Sequence, residues 1–171
     1  VGGFLMAREV FLQSMNTRGG SIVNITADMW KGMPGMGHSG AARAGMDNFT
    51  KTAAVEWGCC GVRVNAVAPG WIASSGMDTY DPGTKERIKQ LKNHVPIGRM
   101  GSEAEVSSVI CFLLSDGAAF ISGETVRIDG GAPLESSFLP LASGKPTPIY
   151  NGFHRYQAPE VLKDQFITDK E

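Results

Sequence analysis

Ser21-Ile22-Val23-Asn24-Ile25-Thr26, then the Ala-rich stretch from Ser39 to Trp57, then Val62-Arg63-Val64-Asn65-Ala66-Val67, carry the architecture of this chain. Short β-branched runs of this kind suit buried strands. The stretch between them has no Gly or Pro from Met46 to Trp57, and Gly58 is expected to stop it. Pro69-Gly70 closes the second strand, and Thr125-Val126-Arg127-Ile128 reads as a third, ended by Asp129-Gly130-Gly131. Before them, Phe4 to Ser14 reads as a helix with Phe4, Ala7, Val10, Phe11 and Met15 on one stripe. Between the second and third strands lie a charged helix from Thr84 to Asn93 and a helix opened by Ser102-Glu103-Ala104-Glu105. That quartet is a capping box, and Val106, Val109, Ile110, Phe112 and Leu113 are expected on the buried side of its helix. Strands separated by helices of this length indicate an α/β fold, a doubly wound parallel sheet with right-handed crossovers.

Composition narrows the function classes. The 171 residues carry 16 Lys+Arg against 17 Asp+Glu, a net charge of -1 that offers no basic excess for nucleic acid. With 42% hydrophobic and 19% charged residues the chain is too apolar for disorder. No uncharged run approaches the roughly 20 residues that cross a bilayer, and no secretory pattern opens the sequence. Cys59, Cys60 and Cys111 are odd in number with no metal-ligand spacing, so a reduced, cytoplasmic setting and no metal are expected. No internal repeat occurs.

Three strands make an incomplete sheet, since a doubly wound domain has about six, with its dinucleotide fingerprint at the first βα turn. No G-x-G-x-x-G directly follows a strand here, and Val1-Gly2-Gly3-Phe4-Leu5 already reads as helix. The expectation is therefore the C-terminal half of a Rossmann-type domain over residues 1–133, with a Pro/Ser/Gly-rich tail over 134–171 ending in a short polar helix near Pro159 to Asp164. Half a sheet with an unpaired edge is expected to be poorly soluble or molten in isolation.

Four motifs in one order, Gly20-Ser21-Ile22-Val23-Asn24-Ile25-Thr26, Asn65-Ala66-Val67-Ala68-Pro69-Gly70, Gly98-Arg99-Met100-Gly101-Ser102-Glu103-Ala104-Glu105-Val106 and Asp129-Gly130-Gly131, resemble the C-terminal half of short-chain dehydrogenases/reductases. The resemblance covers about Val1 to Pro133. It implies that the cofactor-phosphate loop and a tetrad Asn lie upstream, and that the chain is inactive without them. His38-Ser39-Gly40-Ala41-Ala42-Arg43-Ala44-Gly45 stands where the family has Tyr-x-x-x-Lys, which puts Ser39 at the Tyr position and Arg43 at the Lys position. Thr26 falls at the family's Ser position, with Ala27 the competing assignment. The same string resembles trans-2-enoyl-CoA reductases of the peroxisomal type and their bacterial relatives. Tyr150-Asn151-Gly152-Phe153-His154 resembles bacterial homologues associated with terpenol (citronellol-type) oxidation.

The substitution at the Tyr position has a chemical consequence. A Ser hydroxyl has no accessible pKa near neutrality and does not replace a tuned Tyr as general acid toward a carbonyl. Reduction of an enoyl thioester asks less: hydride adds at Cβ and charge develops on the thioester oxygen as an enolate, which hydrogen-bond donors stabilise. Ser39 and Thr26 are candidate donors. Arg43, four residues after Ser39 on one helix face, is either a surface Arg or the group that replaces the Lys toward the nicotinamide ribose. Pro69, Gly70, Ile72 and Ser74 are either a strand-ending turn or, as the resemblance implies, the segment closing over the nicotinamide. Residues 75–95 correspond to the family's mobile substrate lid.

Met29, Trp30, Met36 and His38 are candidates to line an acyl pocket, with Met33 beside them; Met-rich stretches are equally good core filler. His38 is either a proton donor in place of Tyr or a helix-start residue. Asp47 and Lys51 read as a helix ion pair, Cys59-Cys60 as inert thiols, and His154 has no assignment. The resemblance implies an NADPH- or NADH-dependent reductase, NADP favoured, acting on an acyl-CoA-type small molecule, and a homotetramer when full length. The alternatives are a short-chain alcohol or aldehyde dehydrogenase acting on a terpenol or a 3-oxoacyl substrate, and a non-catalytic interaction module.

Overall fold

The computed structural model describes residues 1–135, 138, 140–142, 144–153 and 155–166. The chain divides into two compact units, Val1–Pro69 with Val109–Arg127, and Gly70–Ser108 with Ile128–Glu171.

The first unit is organised by strand β2 (Val62–Pro69). Strand β1 (Gly20–Ile25) pairs with it in parallel, in register from Gly20 opposite Val62 to Ile25 opposite Val67. Strand β5 (Thr125–Ile128) takes the other side, giving the order β1-β2-β5. Val62, Val64, Ala66, Val67 and Ala68 are all buried, the near-continuous apolar run of a central parallel strand. Each fully buried Val contributes about 1.5–3 kcal/mol. The fold class read from the sequence is the one observed: α/β, with an incomplete parallel sheet.

Helix α1 (Gly2–Val10) widens into a π-helical turn at Phe11–Met15 and finishes as the short α2 (Asn16–Arg18). Helix α3 (Gly37–Trp57) packs on β2, and Ala7, Ala53, Trp57, Val62 and Val64 form a core cluster. Phe11 stacks flat on Trp57, with centroids 4.3 Å apart, and Phe49 meets Trp57 edge-on at 5.7 Å. The polar side chains of Asn24, Thr50, Asn65 and Arg63 in this unit are paired. Asn24 donates to the Thr50 hydroxyl (2.9 Å), which donates to the Met46 carbonyl (2.8 Å). Asn65 donates to the Ile121 carbonyl (2.8 Å) and accepts from the Glu124 amide (3.1 Å), which fixes the approach to β5. The Arg63 guanidinium donates to the carbonyls of Leu113 (2.8 Å) and Ser115 (3.1 Å), capping the end of helix α5 (Glu103–Leu114).

Helix α3 ends at Trp57 with Gly58 at its C-cap, as expected, but Gly58 keeps right-handed angles (φ -58°), a 3-10 turn runs over Gly58–Cys60, and the left-handed residue is Gly61 (φ 73°). Two local expectations are corrected. On α5 only Leu113 is fully buried, while Phe112 is exposed. Phe4 and Val10 of the first stripe are also exposed, leaving Ala7 as the buried contact of α1.

The second unit has little regular structure. Two-residue strands β3 (Ile72–Ala73) and β4 (Gly101–Ser102) pair in parallel. Helix α4 (Pro82–Gln90) starts two residues before the expected Thr84, because Asp81 accepts from the Thr84 amide (3.1 Å) and Pro82 takes the first helical position. The capping box of α5 forms as read: Ser102 Oγ accepts from the Glu105 amide (3.1 Å), and Glu105 accepts from the Ser102 amide (2.8 Å). Ala73, Ile88, Met100 and Leu162 make this unit's core. The terminal polar helix is a 3-10 turn at Glu160–Leu162 followed by α6 (Lys163–Phe166), and it is amphipathic, because Leu162 is fully buried.

Arg99 is the polar centre of this unit. Its guanidinium grips Glu105 in bidentate fashion (2.9 and 2.6 Å) and donates to the carbonyls of Met100 (3.0 Å), Thr147 (2.7 Å) and Pro148 (2.8 Å). Glu105 also accepts from the Tyr150 amide (3.2 Å). Burial pushes the Glu105 carboxyl up, but the hydrogen bonds from Arg99, Ser102 and Tyr150 outweigh it and leave the group below its ordinary value.

Candidate active site

Thr26 follows β1 directly and is buried. Its amide and its Oγ1 both donate to the Val67 carbonyl, at 2.8 and 3.0 Å. The hydroxyl proton is therefore engaged, and the Thr26 oxygen faces any ligand as an acceptor. The following loop is held to the end of β2 by the Asp28 amide donating to the Pro69 carbonyl (3.1 Å). Within the loop the Met36 amide donates to Met33 (2.9 Å), and the Met36 carbonyl then accepts from the Ser39 and Gly40 amides (2.9 and 3.0 Å) as α3 begins.

Ser39 and Arg43 meet, as their spacing of four on one helix predicts. Both are half-buried, and Arg43 Nη1 donates to Ser39 Oγ at 2.5 Å. A charge-assisted bond into the hydroxyl oxygen leaves the Ser39 proton available and polarises it, so Ser39 becomes a stronger donor than an isolated serine. Arg43 Nε is buried and has no hydrogen-bond partner among the described residues. A half-buried guanidinium whose buried Nε keeps an unspent donor suits a ligand bearing hydroxyl oxygens, such as the ribose of a nucleotide.

The other candidates of this unit are dispersed. His38 is exposed on the first turn of α3. Met29 and Met33 are half-buried, and Met36 is exposed. Trp30 keeps 42% of its surface, and the Arg127 guanidinium lies over its ring at 4.0 Å from the centroid. Arg127 escaped the sequence reading; its signal was a lone cation inside the apolar run Thr125-Val126-Arg127-Ile128. Asp47 keeps its ion pair with Lys51 (2.7 Å) and also accepts from the Thr125 hydroxyl (2.7 Å), tying α3 to β5. Cys59 and Cys60 carry free thiols 3.9 Å apart.

Gly70, Ile72 and Ser74 belong to the second unit. The Gly70 amide donates to the Ile128 carbonyl (3.0 Å), and a Cβ there would lie 2.8 Å from Asp129, so packing alone demands glycine. Ile72 is half-buried in β3. Ser74 precedes the 3-10 turn Ser75–Thr79 and makes no side-chain cap bond to it. An open hollow of about 580 Å³ in this unit is walled by Pro82, Lys85, Lys89 and Val161 among others; it falls on the segment 75–95, and none of the individual catalytic, cofactor or acyl candidates lines it. His154 lies outside the described residues. Among the described residues no group of three or more His, Cys, Asp or Glu could hold a metal, and no helix is long and apolar enough to cross a membrane.

A parallel sheet with a long helix following its first strand is an arrangement shared with the short-chain dehydrogenases/reductases. The chain belongs to that superfamily: the family model described as Enoyl-(Acyl carrier protein) reductase matches residues 1–133. A Bacillus subtilis protein named Probable 2,4-dienoyl-CoA reductase [(2E)-enoyl-CoA-producing] is 40% identical over 114 residues, 66% of this chain and 45% of its own length. The solved citronellol catabolism dehydrogenase of Pseudomonas aeruginosa PAO1 is 68% identical, with a TM-score of 0.64, over 77% of this chain and 49% of that one. A structure from Agrobacterium tumefaciens with bound NADP is 26% identical, with a TM-score of 0.67, over 77% and 55%. The chain thus spans about half the length of the curated relatives it matches.

Proposed function

We propose that this chain is the substrate-side part of an NAD(P)-dependent oxidoreductase that reduces the 2,3 double bond of a trans-2-enoyl-CoA. The observation that carries the reading is the Arg43 to Ser39 hydrogen bond at the place where the family has Tyr and Lys. The nicotinamide supplies hydride to Cβ of the substrate when it is bound. As charge builds on the thioester oxygen, the polarised Ser39 hydroxyl donates to it, and Arg43 adds positive potential. Arg43 Nε, without a partner among the described residues, is the donor assigned to the nicotinamide ribose. Thr26 holds the end of β1 against Val67 rather than donating to substrate. The α-carbon proton is assigned to water. NADP is favoured by the NADP-bound relative. Pro69, Gly70, Ile72 and Ser74 form the segment assigned to the carboxamide side of the nicotinamide, and Met29, Trp30 and Met36 remain acyl-side candidates. The full-length protein is assigned to the cytoplasm as a homotetramer. Residues 1–133 are proposed as the family domain and 134–171 as a tail added to it.

A second reading is favoured by one observation, the 68% identity to a citronellol catabolism dehydrogenase. In that case the substrate is a terpenol or its aldehyde, and exposed His38 beside Ser39 takes the proton. Steady-state turnover of the full-length protein with trans-2-enoyl-CoA and with citronellol separates the two. Under the proposal, enoyl-CoA is reduced, and Ser39→Ala lowers kcat by about 10²-fold or more, the loss seen on removing one oxyanion donor, while His38→Ala does not. Turnover of the alcohol alone, abolished by His38→Ala, would establish the second reading instead.

A further inference from the structure

The strongest unexplained feature is the path of the chain after the family match ends at residue 133. Residues 146–153 and 155–166 do not trail away; they return as a strap across the second unit, fastened at two ends. At the first end the Thr147 amide donates to the Ile97 carbonyl (3.2 Å), Arg99 holds the carbonyls of Thr147 and Pro148, and Ser102 Oγ donates to the Tyr150 carbonyl (2.9 Å). At the second end Asp78 accepts from the amides of Val161 (2.9 Å) and Glu160 (3.0 Å), acting as the cap of the 3-10 turn at Glu160–Leu162. Leu162 then enters the core formed with Ala73, Ile88 and Met100, and Gln165 donates to the Lys89 carbonyl at 3.2 Å. Between the ends, Tyr156 OH donates to the Ala73 carbonyl (3.3 Å), and burial pushes that phenol up to about 12, so it stays a donor.

The attachments at the second end fall on Ala73, Asp78, Ile88, Lys89 and Met100, four of them between residues 73 and 89. We infer that the strap is a clamp that holds this segment in one position, with Asp78 and Leu162 as the positioning residues. Asp78 works through the turn it caps, and Leu162 through the core it enters.

Hydrogen exchange on the full-length protein, followed by mass spectrometry, tests the clamp without reference to activity. In Asp78→Ala the amides of α4 should exchange about fivefold faster, the shift in local opening that loss of one cap produces, while those of α3 are unchanged. Asp78→Asn, which keeps one acceptor oxygen, should fall between. Leu162→Ala should accelerate the same amides further. Unchanged α4 exchange in Asp78→Ala and Leu162→Ala would overturn the clamp.

Discussion

Strand β2 and the surroundings of Arg99 are both buried, yet they are held by different physics. Around β2, Val62, Val64, Ala66 and Val67 lose their surface to neighbouring strands and to α3, and the backbone ladder to β1 satisfies the peptide groups. Around Arg99, one guanidinium and one carboxylate gather peptide groups from Met100, Ser102, Thr147, Pro148 and Tyr150, where almost no ladder exists. The first arrangement spreads its energy over many weak contacts, so any one change is partly absorbed. The second concentrates it, so that a single deletion leaves several buried groups without partners.

The largest effect should therefore come from Arg99. Removing one partner of a buried ion pair costs about 3–5 kcal/mol, and Arg99→Leu also strands two strap carbonyls. Urea denaturation should show a fall of that size, with proteolytic cleavage appearing between residues 144 and 153. A loss below 1 kcal/mol would mean that the apolar cluster with Leu162, not the polar node, orders the second unit. The pH dependence has a definite sign. Glu105 is depressed in the folded state, so its contribution is present above the ordinary carboxylate value and disappears as pH falls through the folded one. Acid titration of the wild type should expose the strap to protease, and Glu105→Gln should flatten that dependence.

Val64→Ala, at the centre of β2, should cost less, about 2–3 kcal/mol from lost burial and the cavity left behind. The same denaturation assay reads it, and here the strap should remain protected. Strap release on Val64→Ala would erase the distinction between the two regions.

The contrast also explains what the sequence made legible. β1, β2, β5 and α3 announce themselves through runs and periodicity, because burial repeated along an element leaves a repeated pattern. The Ser39–Arg43 contact was legible for the same reason, since four residues on a helix set the geometry. The capping box at Ser102 was legible because both partners lie within three residues. The strap was not: its order depends on Arg99 and Asp78 meeting peptide groups 48 to 83 residues away, and peptide groups have no sequence. Thr26 was found by position, but its hydroxyl is spent on Val67, a fact no spacing encodes. Gly58 ends α3 as read, but it keeps right-handed angles, and the left-handed residue of this turn is Gly61, a detail no spacing encodes.

Ser102 sharpens the comparison at a smaller scale, since it serves both local and distant structure. Ser102→Ala removes the cap of α5 and the bond to the Tyr150 carbonyl together. A cap alone is worth about 1 kcal/mol. A measured loss near that value would assign the residue to α5 alone. A loss nearer 2 kcal/mol, about one further hydrogen bond, accompanied by faster exchange at residues 150–153, would assign it to the strap as well.

The smallest effect belongs to the one ion pair of α3 that reaches a strand. Lys51 is mostly exposed, so its pairing with Asp47 should contribute about 0.3–0.5 kcal/mol, and Lys51→Ala should barely move the thermal midpoint at neutral pH. Asp47 is nevertheless held by two donors. Burial raises its carboxyl, and the hydrogen bonds from Lys51 and Thr125 bring it below the ordinary value. Its contribution is thus present above the unfolded value and lost as pH falls through the folded one. Lys51→Ala should move that loss to higher pH by removing one of the two donors. Thr125→Val should do the same and in addition loosen β5, because the Thr125 hydroxyl is the group that joins the strand to the helix. Melting curves of the two variants between neutral and acid pH would separate them: parallel shifts would mean that Asp47 acts only as a helix-surface charge, whereas a larger deficit in Thr125→Val at every pH would place the carboxylate among the groups that hold the sheet together.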